Sequence, residues 1–447
     1  MQKMDMLKGD IRETLIKLAW PIILTNLIQT ALGIIDMIWI GRLGYEAVTA
    51  IGTASIFINF AFALSMLIVT GSGVRVAQTL GEGNEKESRS YVKTGLILSV
   101  IVGVVYIFII LVFQTPLINF FNIEEINIVN QSKSYLTHSM YGILFFFIVT
   151  TYISILTSYG NTKLTFRANA IGLILNIVLD PILIFGIGPI PAMGVAGAAW
   201  ATNIARLVIL LVLVRSTYKD LILSFKERFE IDKAFELIKM GIPVSAQRFI
   251  FNFVSMFMAR IVVGFGTDVM AAQRIGIQIE SITYVTIGGL QGAISAFIGQ
   301  NFGNKNVDRI DRAYRTSVKL VTIFGLFVTI GFIFFSRPMF RMFIEDLNVI
   351  DHGEVYMKAL AFSQVFMGLE ILSVGAYHGI GKTNFPSIIA TVFTVLRLPM
   401  ALILSHYLGV VGVWWSISLS SILKGVILTF GFIINIKRLE MNVVKYT

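Results

Sequence analysis

Cysteine is absent from the 447 residues, which excludes disulfides and thiolate-ligated metals. Histidine is nearly absent. The four present, His138, His352, His378 and His406, are scattered, with no HExxH or other metal-ligand spacing. Charge is also scarce: Asp, Glu, Lys and Arg make up 14% of the chain, against about 25% in a soluble domain. With 56% hydrophobic residues and a mean hydropathy of +0.80, the chain is not a soluble protein.

The apolar residues are grouped in blocks of the ~20 residues that a helix needs to cross a bilayer. Twelve blocks are expected, near 14–40, 47–73, 92–113, 134–159, 166–187, 194–215, 235–263, 270–298, 318–336, 355–378, 385–406 and 411–436. They are too long, and alternate too little, for barrel strands. A helix satisfies its own backbone where no water is available, so the fold class is an all-α integral membrane protein. The first run is too long for a cleavable signal and lacks a small-residue cleavage site, so it is expected to remain as the first helix.

The net charge of +10 does not point to nucleic acid, because its placement is topological. Lys and Arg crowd the stretches 3–17, 86–93, 163–167, 215–239, 305–319 and 437–445. The alternate side carries only Arg42, Lys133, Arg337 and Arg341. The positive-inside rule then places both termini in the cytoplasm, with an even number of spans in the cytoplasmic membrane.

The chain also repeats itself. At an offset of 222, Pro21 meets Pro243, Gly44 meets Gly266, and QTLGEGN at 78–84 meets QNFGNKN at 300–306. Later the offset becomes 215, where GVAGAAW at 194–200 meets GVVGVWW at 409–415. Each half thus carries six spans in one orientation, a parallel repeat related by an axis along the membrane normal, as in one class of transporter. The expected organisation is an N-lobe over 1–215, a basic cytoplasmic linker over 216–233 and a C-lobe over 234–447.

Carboxylates inside spans are expensive and point to function. Four are present: Asp36, Asp180, Glu280 and Glu370. At the 222 offset Asp36 meets Met258, so the scaffold does not require an acid there. In LNIVLDPILIF (175–185), Asn176 and Asp180 are four apart and share a helix face. Pro181 cannot donate to the carbonyl of Ile177 and is expected to bend the helix. Asn26, Gln29, Gly33 and Asp36 fall on one face of the first span, with Pro21 as a second kink. A freed carbonyl beside a carboxylate suits a small cation, and two facing aspartates cannot both stay charged without one. The competing reading is that each aspartate only accepts hydrogen bonds from neighbouring Asn, Gln or Thr. For Glu280 and Glu370, a salt bridge to Arg248, Arg274 or Arg397 competes with a substrate role.

Other signals fail. GIGKT at 379–383 has Ala376 where a phosphate-binding loop needs glycine. No nucleophile–base or metal constellation stands out, so no enzyme and no cofactor are expected. A channel would need a ring of pore-lining groups, which lone carboxylates do not make.

LAWPIILTNLIQTALGIIDMIWIGRLG at 18–44, the two Q-x-x-G-x-x-N stretches, and NIVLDP with GVAGAAWAT resemble the multidrug and toxic compound extrusion (MATE) family over essentially the whole chain. The resemblance implies twelve helices in two pseudo-symmetric six-helix lobes, rocking by alternating access. It implies export of organic, often cationic and amphipathic compounds in exchange for H⁺ or Na⁺, with no nucleic-acid partner and a fold sufficient as a monomer. In the DinF-type bacterial branch the cation site matches Asp36, Asn176, Asp180 and Thr202 here, and the bending first-helix proline matches Pro21. The absence of Asp and Glu from Pro243–Val263 argues against the NorM-type branch. Asn26, Gln29, Glu280 and Glu370 are the candidates for lining a drug cavity. The rival function is a flippase for a lipid-linked saccharide, kept open by Arg248, Arg260, Arg274 and Arg397.

Overall fold

The computed structural model describes residues 4–444, among which there are thirteen α-helices and no strand beyond one isolated bridge, Ile187 to Ile190. The first half supplies α1 (Ile11–Gly41), α2 (Tyr45–Gly81), α3 (Glu85–Asn119), α4 (Ile126–Ser158), α5 (Thr162–Phe185) and α6 (Val195–Lys226). The second supplies α7 (Ile231–Val263), α8 (Thr267–Gly303), α9 (Val307–Arg341), α10 (Leu347–Ala361), α11 (Gln364–Gly379), α12 (Asn384–Leu408) and α13 (Val410–Val444). Eleven are individually long and apolar enough to span a membrane, and α10 with α11, bent by 54° at the break between them, pass the same test only as a pair.

The repeat is visible atom by atom. Asn84 and Asn306 are both N-caps, accepting from the Glu87 and Arg309 backbone N–H at 3.1 Å. Such a cap satisfies one of the donors that every helix start leaves open. Gly197 and Gly412 sit where a side chain would run into the backbones of Leu183 and Leu404. The shift in offset from 222 to 215 traces to the loop 186–193, which holds the single bridge and has no counterpart between α12 and α13.

One expectation is changed. The tenth span, expected as one run over 355–378, breaks at Phe362 and Ser363 without proline or glycine. The break is stabilised by side chains, both at the break and on neighbouring helices, that donate to the last carbonyls of α10. Ser418 Oγ donates to Ala359 at 2.5 Å, Ser363 Oγ and Gln364 Nε2 to Leu360 at 2.8 and 3.2 Å, and Thr329 Oγ1 to Ala361 at 2.8 Å. Satisfying freed carbonyls in this way is what lets a membrane helix bend. The basic stretch 216–233 joins α6 to α7, which begins at Ile231. It stays helical to Lys226, with one non-helical residue at Thr217.

The chain divides into two compact units. One comprises Leu24–Ile242 with Met4; the other joins Asp5–Ile23 to Pro243 onward. Both α1 and α7 therefore change unit partway, beside Pro21 and at Pro243. In the first unit, α2, α3, α4 and α6 pack together. The start of α7 is fastened to them by Arg75 with Glu236 at 3.0 Å and by Lys233 with Glu87 at 3.1 Å and with Ser90 at 2.8 Å. Gly241 and Gly71 allow backbone contact with Leu67 and Leu237. In the second unit, the chain's start is held by Arg309, which donates to the carbonyls of Met6, Lys8 and Gly9 at 3.1, 2.8 and 2.9 Å. Asn301 also donates to the Met6 carbonyl, at 3.1 Å.

Candidate functional site

In the first unit, the part of α1 after Pro21 faces α4, α5 and α6 with the polar stripe read from the sequence. Asp180 and Asn176 are fully buried on α5, and Asn176 Nδ2 donates to Asp180 Oδ1 at 3.4 Å. The helix runs unbroken through Pro181 to Phe185. Asp36, half-buried on α1, comes within hydrogen-bonding reach of Asp180, so the two aspartates meet. Their oxygens are not fully used. Asp36 Oδ1, Asp180 Oδ2 and Asn176 Oδ1 are buried with no hydrogen-bond partner. Leaving buried acceptors unmade costs about 1–3 kcal/mol each, and three together on two elements form a donor set suited to a proton or a small cation.

Earlier on α1, Gln29 Nε2 donates to Asn169 Oδ1 on α5 at 3.4 Å, and Asn169 donates in turn to the Thr165 carbonyl at 2.8 Å. Gln29 thus ties α1 to α5 about two turns from Asp36 and about three from Asp180. Asn26 lies one turn earlier on the same helix. Thr202 lies on α6, and among the described residues its hydroxyl makes no hydrogen bond with Asp36, Asn176 or Asp180.

Two groups that the sequence reading did not name complete this region. Arg206, one turn beyond Thr202, interacts electrostatically with Asp36 and Tyr135, its guanidinium lying 5.3 Å from the Phe146 ring centroid. Tyr135 on α4 is hydrogen-bonded with Ser139 and stands near Asp36, Asp180 and Arg206. The i, i+4 spacing from Thr202 to Arg206 was available in the sequence; the approach of α4 was not. With Arg206 present, two carboxylates and one guanidinium leave one formal negative charge.

The remaining acids belong to the second unit. Glu370 on α11 pairs with Lys424 on α13 at 2.7 Å, not with any of the arginines expected for it. Glu280 on α8 is buried and accepts from Gln364 Nε2 at 3.1 Å, with Arg397 nearby but beyond salt-bridge distance. The cavity candidates Asn26 and Gln29 therefore fall in one unit and Glu280 and Glu370 in the other. Among the described residues there is no cluster of three or more His, Cys, Asp or Glu able to hold a metal.

Comparison with known proteins places these features in context. A probable multidrug resistance protein NorM of Thermotoga maritima is 29% identical over 421 residues, covering 91% of this chain and 88% of its own. An FAD transporter of Shewanella oneidensis is 24% identical over 441 residues, covering 94% of each. The solved outward-facing structure of a multidrug resistance MATE family transporter of the MOP superfamily superposes with a TM-score of 0.90 at 23% identity, over 98% of this chain and 99% of that one. That likeness establishes a shared fold. The MatE family model matches twice, over residues 21–182 and again over 243–403, each match beginning at a unit-crossing proline. With most of its length covered by that paired match, this chain belongs to the MatE family of membrane transporters.

Proposed function

We propose that the protein is an ion-coupled multidrug exporter, expelling amphipathic organic compounds in exchange for H⁺ or Na⁺ by alternating access. The coupling site is centred on Asp36, Asn176 and Asp180, with Thr202 at its margin. The observation that carries this reading is the meeting of Asp36 and Asp180 with three unpartnered buried oxygens around them. Two carboxylates at this range repel strongly in a low-dielectric setting. Arg206 offsets one charge, and a single bound cation offsets the other. Occupied and empty forms therefore differ in the preferred approach of α1 to α5, which is the differential binding that any coupled transition needs.

The names of the Thermotoga and Shewanella relatives support a small organic cargo. The placement of basic residues supports a multi-pass protein of the cytoplasmic membrane with both termini inside. A flippase for a lipid-linked saccharide is the second reading, favoured by the arginines of the second unit.

The test is ethidium efflux from vesicles under imposed pH or Na⁺ gradients, comparing wild type with Asp36→Asn and Asp180→Asn. Gradient-driven efflux lost in both variants at normal expression is expected, and the driving gradient names the ion. Efflux that survives both substitutions refutes the coupling site. Absence of efflux in wild type under either gradient turns attention to the flippase.

A further inference from the structure

The second unit carries its own mid-span polar cluster, of opposite sign. Arg248 lies near the middle of α7, Glu280 and Tyr284 near the middle of α8, Glu370 on α11, Arg397 on α12 and Lys424 on α13. Tyr284 is the hub, interacting electrostatically with Glu280, Glu370, Arg248 and Arg397.

The two acids in this cluster are already engaged, Glu370 by Lys424 at 2.7 Å and Glu280 by Gln364 at 3.1 Å. Arg397 is buried and spends its Nε on Ser420 Oγ at 2.7 Å. Among the described residues no carboxylate forms a salt bridge with Arg248 or Arg397, so three cations face two anions. Arg248 and Tyr284 are the exposed members. The repeat provides a contrast: at the 222 offset Arg248 meets Asn26 and Tyr284 meets Phe62. The scaffold does not require a cation at that depth.

An arginine near mid-membrane without a carboxylate needs water or a ligand for its charge. A guanidinium is a rigid fork matched to a carboxylate, sulfonate or phosphate, and Tyr284 beside it adds an aromatic face and a hydroxyl. We infer that Arg248, with Tyr284 and Arg397, forms an anion-accepting subsite for the carboxylate, sulfonate or phosphate group of an amphiphilic, ring-bearing compound. This rests on the exporter reading above and extends the cargo from organic cations to amphiphiles that carry an acidic group. An anionic lipid headgroup presents the same chemistry.

The experiment measures binding without any gradient, so its outcome is separate from that of ion coupling. Purified protein in phosphatidylcholine nanodiscs is titrated into fluorescein and rhodamine 123, which share a xanthene body but differ in charge, with anisotropy as the readout. Arg248→Gln is expected to weaken fluorescein binding at least about tenfold, the loss of one charge-assisted contact. Rhodamine 123 affinity stays within about twofold, and Arg248→Lys recovers part of the fluorescein affinity. A wild-type protein that binds fluorescein no better than Arg248→Gln overturns the inference, as does an equal loss of both dyes.

Should Arg248→Gln not fold, wild type alone decides: naphthalene sulfonate must displace fluorescein and a naphthyl trimethylammonium must not, and equal displacement overturns the inference. Repeating the titration with phosphatidylglycerol separates the two sources. Weakened fluorescein binding in wild type but not in Arg248→Gln identifies a lipid headgroup as the occupant, and no difference identifies the soluble amphiphile.

Discussion

Removing Lys424 exposes what its pairing with Glu370 is worth. The two charges are 2.7 Å apart, with side-chain exposures of 7% and 12%. At an effective dielectric of about 20 their gross attraction is about 6 kcal/mol, most of it set against the cost of taking both out of water. Lys424→Met keeps the volume and strands a buried carboxylate, which costs about 3–5 kcal/mol. Replacing both partners, as Lys424→Met with Glu370→Leu, removes attraction and penalty together and is expected to fall within about 1 kcal/mol of wild type or above it. The assay is the temperature at which half the detergent-purified protein remains monodisperse after heating, measured for both single variants and the double. A strong drop in Lys424→Met that the second substitution reverses is the expected pattern. Two single effects that simply add would refute the reasoning, since independent sites add and coupled ones do not.

Asn84→Ala and Asn306→Ala should each cost about 1 kcal/mol and by similar amounts, because the two caps are geometrically alike; amide exchange at Glu87 and Arg309 reports the local loss. Gly241→Val should prevent accumulation of folded protein, since its side chain meets the Leu67 backbone, whereas Gly52→Ala, with open space around it, should purify at wild-type yield. Lys233, hydrogen-bonded at 2.8 Å, holds the Glu230 carboxyl below its ordinary value. A depressed carboxyl contributes stability above its unfolded pKa of about 4.3 and loses it as pH falls through the lower folded value. Glu230→Gln should therefore be less sensitive than wild type to acidification below pH ~4.3 in thermal unfolding scans.

What could be read from the sequence was whatever is local or repeated. The i, i+4 relation of Asn176 and Asp180 fixes their common face before any tertiary contact, and the paired Q-x-x-G-x-x-N stretches announce two copies of one turn. The change of offset was legible as a difference in loop length between the copies, but not which loop differs, because a deleted loop leaves no positive mark. The break at Phe362 and Ser363 was illegible for a different reason. The hydroxyls that stabilise it come from Thr329 and Ser418 on neighbouring helices as well as from Ser363 itself. Glu370 likewise finds a lysine 54 positions away on another helix, although several arginines were plausible by type. Such pairings depend on which helices become neighbours, and a pattern within one span carries no record of that.

The exchange of segments at Pro21 and Pro243 has a consequence for biosynthesis. Synthesis runs from the N-terminus, so Asp5–Ile23 is made first, yet its packing partners begin only at Pro243. At ~5–20 residues per second that interval is about 10–45 s. During it, the first half of α1 sits in the membrane covalently joined to a unit to which it does not belong. The first unit in turn stays incomplete until Ile231–Ile242 emerges from the opposite half of the gene. Neither half can therefore be released as a finished domain. A chain cut between α6 and α7 would yield two fragments, each lacking a helical segment and carrying the one the other needs.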